Sequence, residues 1–202
     1  MKIIDKHTGL FDRIAKVYGW FFHRQQKGYE FALKKLSEAE ELSSVTRVLD
    51  IGCGTGALCS VFAKSGYQTF GVDSSHKMLE QAKSKTKGLN IDFQWASIVN
   101  DLPFENDSMD LVSASFVAHG LPKELRMKML NDMNRISNHF VILIEFNQNR
   151  RWYIDMVEWA EHGDYFNFIK TIDIELSTIF TSVKKVQIND TSSIYVCKKD
   201  RH

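Results

Sequence analysis

Residues 48–58 read Val-Leu-Asp-Ile-Gly-Cys-Gly-Thr-Gly-Ala-Leu. An apolar strand runs directly into three glycines spaced two apart, and then into a helix-like segment. Glycine permits a tight turn and lets a ligand approach where a Cβ would clash. Such a turn delivers a ligand to the N-terminus of a helix at the carboxyl end of a strand. Nineteen residues beyond Gly54, a second apolar run, Thr69-Phe70-Gly71-Val72, ends on Asp73. That is the distance at which a carboxylate meets ribose hydroxyls.

Asp50 narrows the choice of ligand. Gly52, Gly54 and Ala57 satisfy the dinucleotide pattern G-x-G-x-x-G/A, so the glycines alone are ambiguous. A dinucleotide would set an anionic pyrophosphate at this turn, and a carboxylate two residues before the first glycine would repel it. S-adenosylmethionine, with its ammonium, sulfonium and ribose, has use for both Asp50 and Asp73. No G-K-[ST] follows the glycines, which excludes a P-loop.

Several segments then share one resemblance. Asp50-Ile51-Gly52-Cys53-Gly54-Thr55-Gly56 resembles the first motif of class I S-adenosylmethionine-dependent methyltransferases. Gly71-Val72-Asp73-Ser74-Ser75, followed by Met78-Leu79, is similar to the second. Asp101-Leu102-Pro103-Phe104, Asp110-Leu111-Val112-Ser113 and Ser115-Phe116-Val117-Ala118-His119 are similar to the third and fourth. The set stands in order over roughly residues 45–145. Phe11-Asp12-Arg13-Ile14-Ala15-Lys16-Val17-Tyr18 resembles the lead-in of ubiquinone/menaquinone-type methyltransferases.

The resemblance implies S-adenosyl-L-methionine as cofactor and a small-molecule methyl acceptor. Gly52, Cys53, Gly54 and Gly56 would approach the cofactor through their backbone. Asp50 would face its ammonium, directly or through water, and Asp73 would accept from the ribose, with a helix-cap role as the plainer reading. Ser74 and Met78 would flank the adenine, although a helix stripe explains Met78 as core. Ser115 would complete the cofactor set, and Tyr18 would reach the methionine end, Tyr18 also being explained by packing of the first helix. The family often has an Asp after strand three that accepts from the adenine amino group; here Ser97 or Ile98 holds that place. A serine hydroxyl accepts weakly and Ile98 can only pack on the ring.

The length of 202 residues fits one domain with one substantial core. We divide it into N-terminal helices (1–44), a cofactor-binding core (45–146), a helical insert or lid (150–180) and a C-terminal hairpin (181–202). Short apolar runs alternating with helical periods argue an α/β, doubly wound, mostly parallel sheet. Strands are expected at Arg47–Ile51, Gln68–Asp73, Ile91–Trp95, Asp110–Ser115 and Phe140–Phe146. Val183–Ile188 and Ser193–Lys198 flank Asn189-Asp190-Thr191-Ser192 as a hairpin, supplying the antiparallel strand that the resemblance implies. Two helices are expected before strand one, the second over Gln25–Leu42, and two more around Gly163.

Basic and acidic residues number 26 and 25, a net charge of +1, which gives no general electrostatic case for nucleic acid or membrane binding. The [DNS]-P-P-[YFW] motif of many nucleic-acid amino-methyltransferases is absent, and Asp110-Leu111-Val112-Ser113 stands in its place. Cys53, Cys59 and Cys197 form no C-x-x-C pair, as suits a reducing cytoplasm. The first seven residues lack the apolar stretch of a signal peptide, and no run is long enough to span a bilayer. The histidines show no H-x-x-x-H spacing, so no metal is expected. A monomer or homodimer is expected.

Methyl transfer from a sulfonium is an in-line displacement with a neutral leaving group, so alignment and exclusion of water carry much of the rate. His119 follows strand four at the strand ends and is the candidate general base, with a helix-start histidine as the plainer reading. Glu145 and Asn147 end strand five and are candidates for the acceptor side, with Phe22. Trp152 and Tyr165 belong to an aromatic-rich stretch that is expected to close over the acceptor, or else to seal the sheet edge. Two other functions remain open on the sequence alone. One is a non-catalytic partner subunit that keeps the cofactor site. The other is an NAD-dependent oxidoreductase, against which Asp50 speaks.

Overall fold

The computed structural model describes residues 2–147, 149 and 164–199, with the side chains of the first helix from Trp20 onward. Seven strands form one sheet: β1 Arg47–Ile51, β2 Gln68–Asp73, β3 Ile91–Trp95, β4 Met109–Ser115, β5 Ser137–Phe146, β6 Ser182–Gln187 and β7 Ser192–Lys198. Their order is β3-β2-β1-β4-β5-β7-β6. β1 to β5 are mutually parallel, and β7 runs antiparallel between β5 and β6. The expected doubly wound sheet with an antiparallel C-terminal strand is therefore what forms. The chain winds outward from β1 to β3 and then returns to β4 on β1's other side. That reversal opens a crevice at the carboxyl ends of β1 and β4, where such sheets take ligands.

Helices cover both faces, so the strands read as apolar runs. On one face lie α1 (Lys2–Ala39) and α2 (Ala57–Lys64). There Ala32, Leu36, Leu58 and Phe62 pack on Leu111, Ile142, Ile144 and Ile194. On the other lie α4 (Lys123–Ile136) and α5 (Tyr165–Ile179), whose Met129, Met133, Phe168 and Leu176 pack on Val112, Val141, Leu143 and Tyr195. Leu111 and Val112 thus serve opposite cores, as the period-2 alternation of a strand requires. α3 (His76–Lys85) starts at Ser75, whose hydroxyl accepts from the Met78 N–H at 3.1 Å as an N-cap. At Gly71 in β2 a Cβ would sit 2.9 Å from both Cys59 Sγ and the Phe93 ring, so glycine lets α2 seat against the sheet.

Polar stitches fix the rest. The Asp110 carboxylate accepts from the Thr46 and Arg47 N–H groups, the Thr46 hydroxyl and the Asn138 amide. Those bonds outweigh the cost of desolvation and hold its pKa down at about 2. Asp110 thus fastens β1, β4 and β5 at the end of the sheet opposite the glycine turn. Asn189 Oδ1 accepts from the N–H of Thr191 and of Ser192, each at 2.9 Å, closing the hairpin that the sequence signals. Arg126, fully buried, joins α4 to α5: its Nε and Nη2 donate to the two oxygens of Glu175 at 2.7 and 2.9 Å, and its Nη1 to Leu121 O and Asp164 Oδ2.

Two expectations are corrected. The N-terminal region is one 38-residue helix, because His23-Arg24-Gln25-Gln26-Lys27 contains no Pro or Gly to end it and Gly28 meets nothing that would force a break. β5 begins at Ser137, directly after α4, and not at Phe140. Of the two helices expected around Gly163, α5 is the second; the first, with Trp152, lies outside the described residues, as does the side chain of Tyr18.

Candidate functional site

The glycine turn lies at the carboxyl end of β1, and its three glycines do different work. All adopt positive φ: Gly52 at 69°, Gly54 at 54° and Gly56 at 79°. A Cβ at Gly52 would fall 2.6 Å from Val117 Cγ2, and one at Gly56 about 3 Å from Phe93 and Ala82. Those two glycines make room for the protein itself. Among the described residues, a Cβ at Gly54 would meet no atom within 4 Å. What Gly54 keeps clear is space outside the protein.

Asp73 organises this turn. Its Oδ2 accepts from Gly54 N–H and its Oδ1 from Ser75 N–H, both at 2.8 Å. One carboxylate therefore ties the glycine turn to the start of α3. Trp95 Nε1 donates to the Ser74 carbonyl at 2.8 Å, and the half-exposed indole stacks on His76. Met78 is buried at 2 % exposure and Ile98 packs at the edge of the main core, whereas Ser97 Oγ accepts only a long bond from Val99 N–H.

Asp50 lies under the turn and is not on its surface. It is 1 % exposed, with Oδ1 accepting from Ser113 Oγ at 2.8 Å and Oδ2 from Cys59 Sγ at 3.6 Å. Burial pushes its pKa up to about 7, with the charge of Asp73 adding to the rise and the two hydrogen bonds opposing it. Direct contact with a ligand ammonium is thus replaced by a partly protonated carboxyl beneath the backbone, flanked by the buried Cys53 and Cys59. The native state keeps a proton that the unfolded chain releases near pH 4, so stability falls as pH rises from about 4 through about 7. In thermal melts, Asp50→Asn should gain on wild type between pH 5 and pH 8. A constant difference between the two pH values would show that Asp50 stays ionised.

Beyond β4 stands a second cluster. His119 Nδ1 lies 2.8 Å from Glu145 Oε2, and Glu145 Oε1 accepts from the Ala118 N–H at 2.7 Å. Glu145 is fully buried and His119 is 8 % exposed. Glu145 thus bridges the Ala118 N–H and the His119 ring through its two oxygens and fixes the orientation of the imidazole. Phe116, Phe146, Tyr165 and Phe168 surround the imidazole edge-on. Phe116 has φ 53°, unusual for a bulky residue, and the residue is 39 % exposed.

The other sequence candidates separate. Ser115 Oγ donates to the Tyr29 hydroxyl at 2.8 Å, which brings α1 onto the end of β4. Phe22 is buried on α1. Asn147 is spent on the hairpin: its amide bonds Asn189 O and Ser193 Oγ, and its N–H donates to Thr191 O. Tyr165, expected near the acceptor, is 1 % exposed: it packs against His119 and Phe146 from within the main core and offers no surface of its own to a ligand. Sequence reading missed Tyr29 as a site residue, although its helical spacing from Phe22 signals it, and missed Phe116, whose backbone conformation leaves no signal.

Residues 48–139 match the model of a family described as a methyltransferase domain. A demethylmenaquinone methyltransferase of Staphylococcus saprophyticus is 29 % identical over 139 residues, 66 % of this chain and 55 % of that protein. An uncharacterised methyltransferase of Staphylococcus carnosus is 25 % identical over 187 residues, 90 % of this chain and 87 % of its own. Among solved structures, the magnesium protoporphyrin IX methyltransferase of Synechocystis, with S-adenosylhomocysteine bound, superposes with a TM-score of 0.63 at 18 % identity, over 87 % of this chain and 84 % of that one. The chain spans about half the length of the demethylmenaquinone methyltransferases it matches.

Proposed function

We propose, for a chain whose residues 48–139 match a methyltransferase domain, S-adenosylmethionine-dependent methyl transfer to a small-molecule acceptor at a proton-bearing heteroatom. The observation that carries this reading is Gly54: open above, left-handed, and held by Asp73 at the switch point of the sheet. The residues present fit the cofactor. A carboxylate accepts in about four directions, so Asp73 can hold the turn and accept from ribose hydroxyls together. Gly52 and Gly56 set the turn's shape, and the buried Asp50 supplies negative charge below it, in proportion to its ionisation. When bound, S-adenosylmethionine supplies a methyl group on a positively charged sulfur, open to in-line displacement.

The acceptor side is the cluster beyond β4. Glu145 fixes the imidazole of His119, and Nε2 takes the proton that the acceptor loses as its heteroatom gains the methyl. Phe116 offers a half-exposed aromatic face beside it, suited to a flat or apolar acceptor. The name of the Staphylococcus saprophyticus relative supports a small-molecule acceptor.

The test is release of S-adenosylhomocysteine over a panel of phenols, amines and thiols, with calorimetry of S-adenosylhomocysteine binding alongside. His119→Gln should lower kcat by roughly 10²–10⁴-fold and leave the Kd for S-adenosylhomocysteine unchanged. Undiminished turnover in that variant would assign the Glu145–His119 pair to structure alone. Tight binding with no turnover on any acceptor would favour a non-catalytic binding subunit.

A further inference from the structure

The side of α1 that faces away from the sheet carries a pattern of its own. Residues 20, 24, 27, 31, 34 and 35 are spaced i, i+4, i+7, i+11, i+14 and i+15, so they share one face of the helix. They read Trp-Arg-Lys-Phe-Lys-Lys, opposite the face that buries Phe22, Gln26 and Leu36. Trp20 is 83 % exposed, and Phe21 and Phe31 are each about half exposed. A single exposed apolar side chain is ordinary, but a row of rings rimmed by charge marks an interaction surface. Arg24, Lys27 and Lys34 are exposed and make no ion pair among the described residues. Lys35 lies over the Phe31 ring at 5.8 Å and pairs with Glu38 at 3.2 Å. Glu38 stands at the far end of the face and Glu30 at its flank, so the face stays basic although the whole chain carries a net charge of only +1.

The course of α1 places this face. The Ala39 carbonyl accepts from Lys184, near the amino end of β6, and the Tyr29 hydroxyl accepts from Ser115 at the carboxyl end of β4. β6 runs the same way as β5, since β7 is antiparallel to both. From Ala39 back to Tyr29, α1 therefore crosses from the amino ends of the strands to their carboxyl ends. Trp20 lies nine residues further, about 13 Å at the rise of a helix, past the strand ends where the glycine turn stands. No helix of the described residues is long and apolar enough to cross a membrane, so contact with a bilayer is contact with its surface. At that surface tryptophan and phenylalanine rings settle between headgroups and acyl chains, and lysine and arginine beside them meet anionic headgroups. We propose that this face of α1 docks on an anionic lipid bilayer, with Trp20, Phe21 and Phe31 entering the headgroup boundary and Arg24, Lys27 and Lys34 meeting lipid phosphates. The face is the convex outside of a helix, which suits a broad lipid surface better than a single-stranded nucleic acid, whose backbone is tracked by a groove. Docking there brings the cleft end of the sheet to the bilayer, where apolar acceptors reside. It is a property of α1 and stands apart from the cofactor reading.

The experiment is flotation of the full chain with vesicles of phosphatidylcholine alone and of equal parts phosphatidylcholine and phosphatidylglycerol. Wild type should float with the anionic vesicles only, and rising sodium chloride should release it. Lys27→Gln with Lys34→Gln should weaken binding roughly 25-fold, about fivefold for each basic residue removed. Trp20→Ser with Phe31→Ser should weaken it about tenfold or more. Lipids brominated on their acyl chains should quench the tryptophan fluorescence of wild type, and Trp20→Phe should keep binding while losing that quenching. All these residues are on the surface, so the Tm of each variant should stay within a few degrees of wild type; where the double serine variant fails to fold, the glutamine pair and Trp20→Phe carry the test. Absence of binding, equal binding to both vesicles, or binding indifferent to the glutamine pair overturns the proposal. Quenching that persists in Trp20→Phe overturns it as well. Duplex DNA or single-stranded RNA that binds wild type and displaces it from vesicles through the same lysines assigns the face to nucleic acid instead. A lipid-free dimer that the serine pair dissociates assigns it to a second copy of the chain. Either of those two results also overturns docking on lipid. Calorimetry with S-adenosylhomocysteine reads the cofactor site separately, and its failure leaves the vesicle result standing.

Discussion

Gly54→Val should abolish binding of S-adenosylhomocysteine while the protein stays folded. Gly54 has φ 54°, so a β-branched residue there carries backbone strain of roughly 1–3 kcal/mol. That cost is bearable for a domain of ordinary stability, and the new side chain meets no atom of the described residues within 4 Å of its Cβ. What it does meet is the space the turn keeps clear. The affinity loss should exceed 100-fold by calorimetry, with a modest fall in Tm. Gly52→Val is the contrasting case: its Cβ would lie 2.6 Å from Val117, so the fold itself is forced to shift. An unchanged Kd in a folded Gly54→Val protein would sink the placement of the site.

The largest stability effect is expected at Arg126. Its guanidinium is wholly buried, bonded to both oxygens of Glu175, to Leu121 O and to Asp164, and lies over the Phe168 ring. Burial alone would raise the Glu175 pKa, but Arg126 and the Thr171 hydroxyl outweigh it and hold the carboxyl below its ordinary range. The pair's contribution therefore holds at neutral pH and is lost as acid titrates Glu175 through that lowered pKa. Arg126→Met leaves Glu175 buried and unpaired, which should cost about 3–5 kcal/mol and lower Tm by roughly 6–20 °C. Adding Glu175→Leu should restore much of the loss, because a hydrophobic replacement of both partners is often neutral. A single variant within about 1 kcal/mol of wild type would show that the network is solvated and weak. Because α5 also carries Tyr165 and Phe168 against His119, the clamp supports the acceptor side as well.

The elements that the sequence discloses most fully are those with sharp local punctuation. Arg47–Ile51, Gln68–Asp73 and Ile91–Trp95 form strands as expected, because each is a short run bounded by turn residues or by the next helix. The Ser75 cap and the Asn189 turn are legible for the same reason: each acts within three residues. The partners of Asp50 and His119 are not local. Ser113 and Glu145 come from 63 and 26 residues away, and only the pairing of β1 with β4 and of β4 with β5 brings them there. A single sequence carries no register. The same limit explains Asn147, which reads as a cleft residue until β7 arrives beside it. The helix break expected near residue 23 failed for a different reason: an amphipathic period was divided where no residue forbids continuation.

The place of β7 bears on how the chain emerges from a ribosome. β7 is the last strand described, yet it fills an interior slot between β5 and β6. Until it is synthesised, β5 presents a free edge whose Ile142, Leu143 and Ile144 are among the most apolar residues of the sheet. An unpaired apolar edge is a template for pairing with other chains. The nascent protein therefore carries an association-prone surface until β7 is released, and a message cut short before Ser192 would leave that surface permanently open.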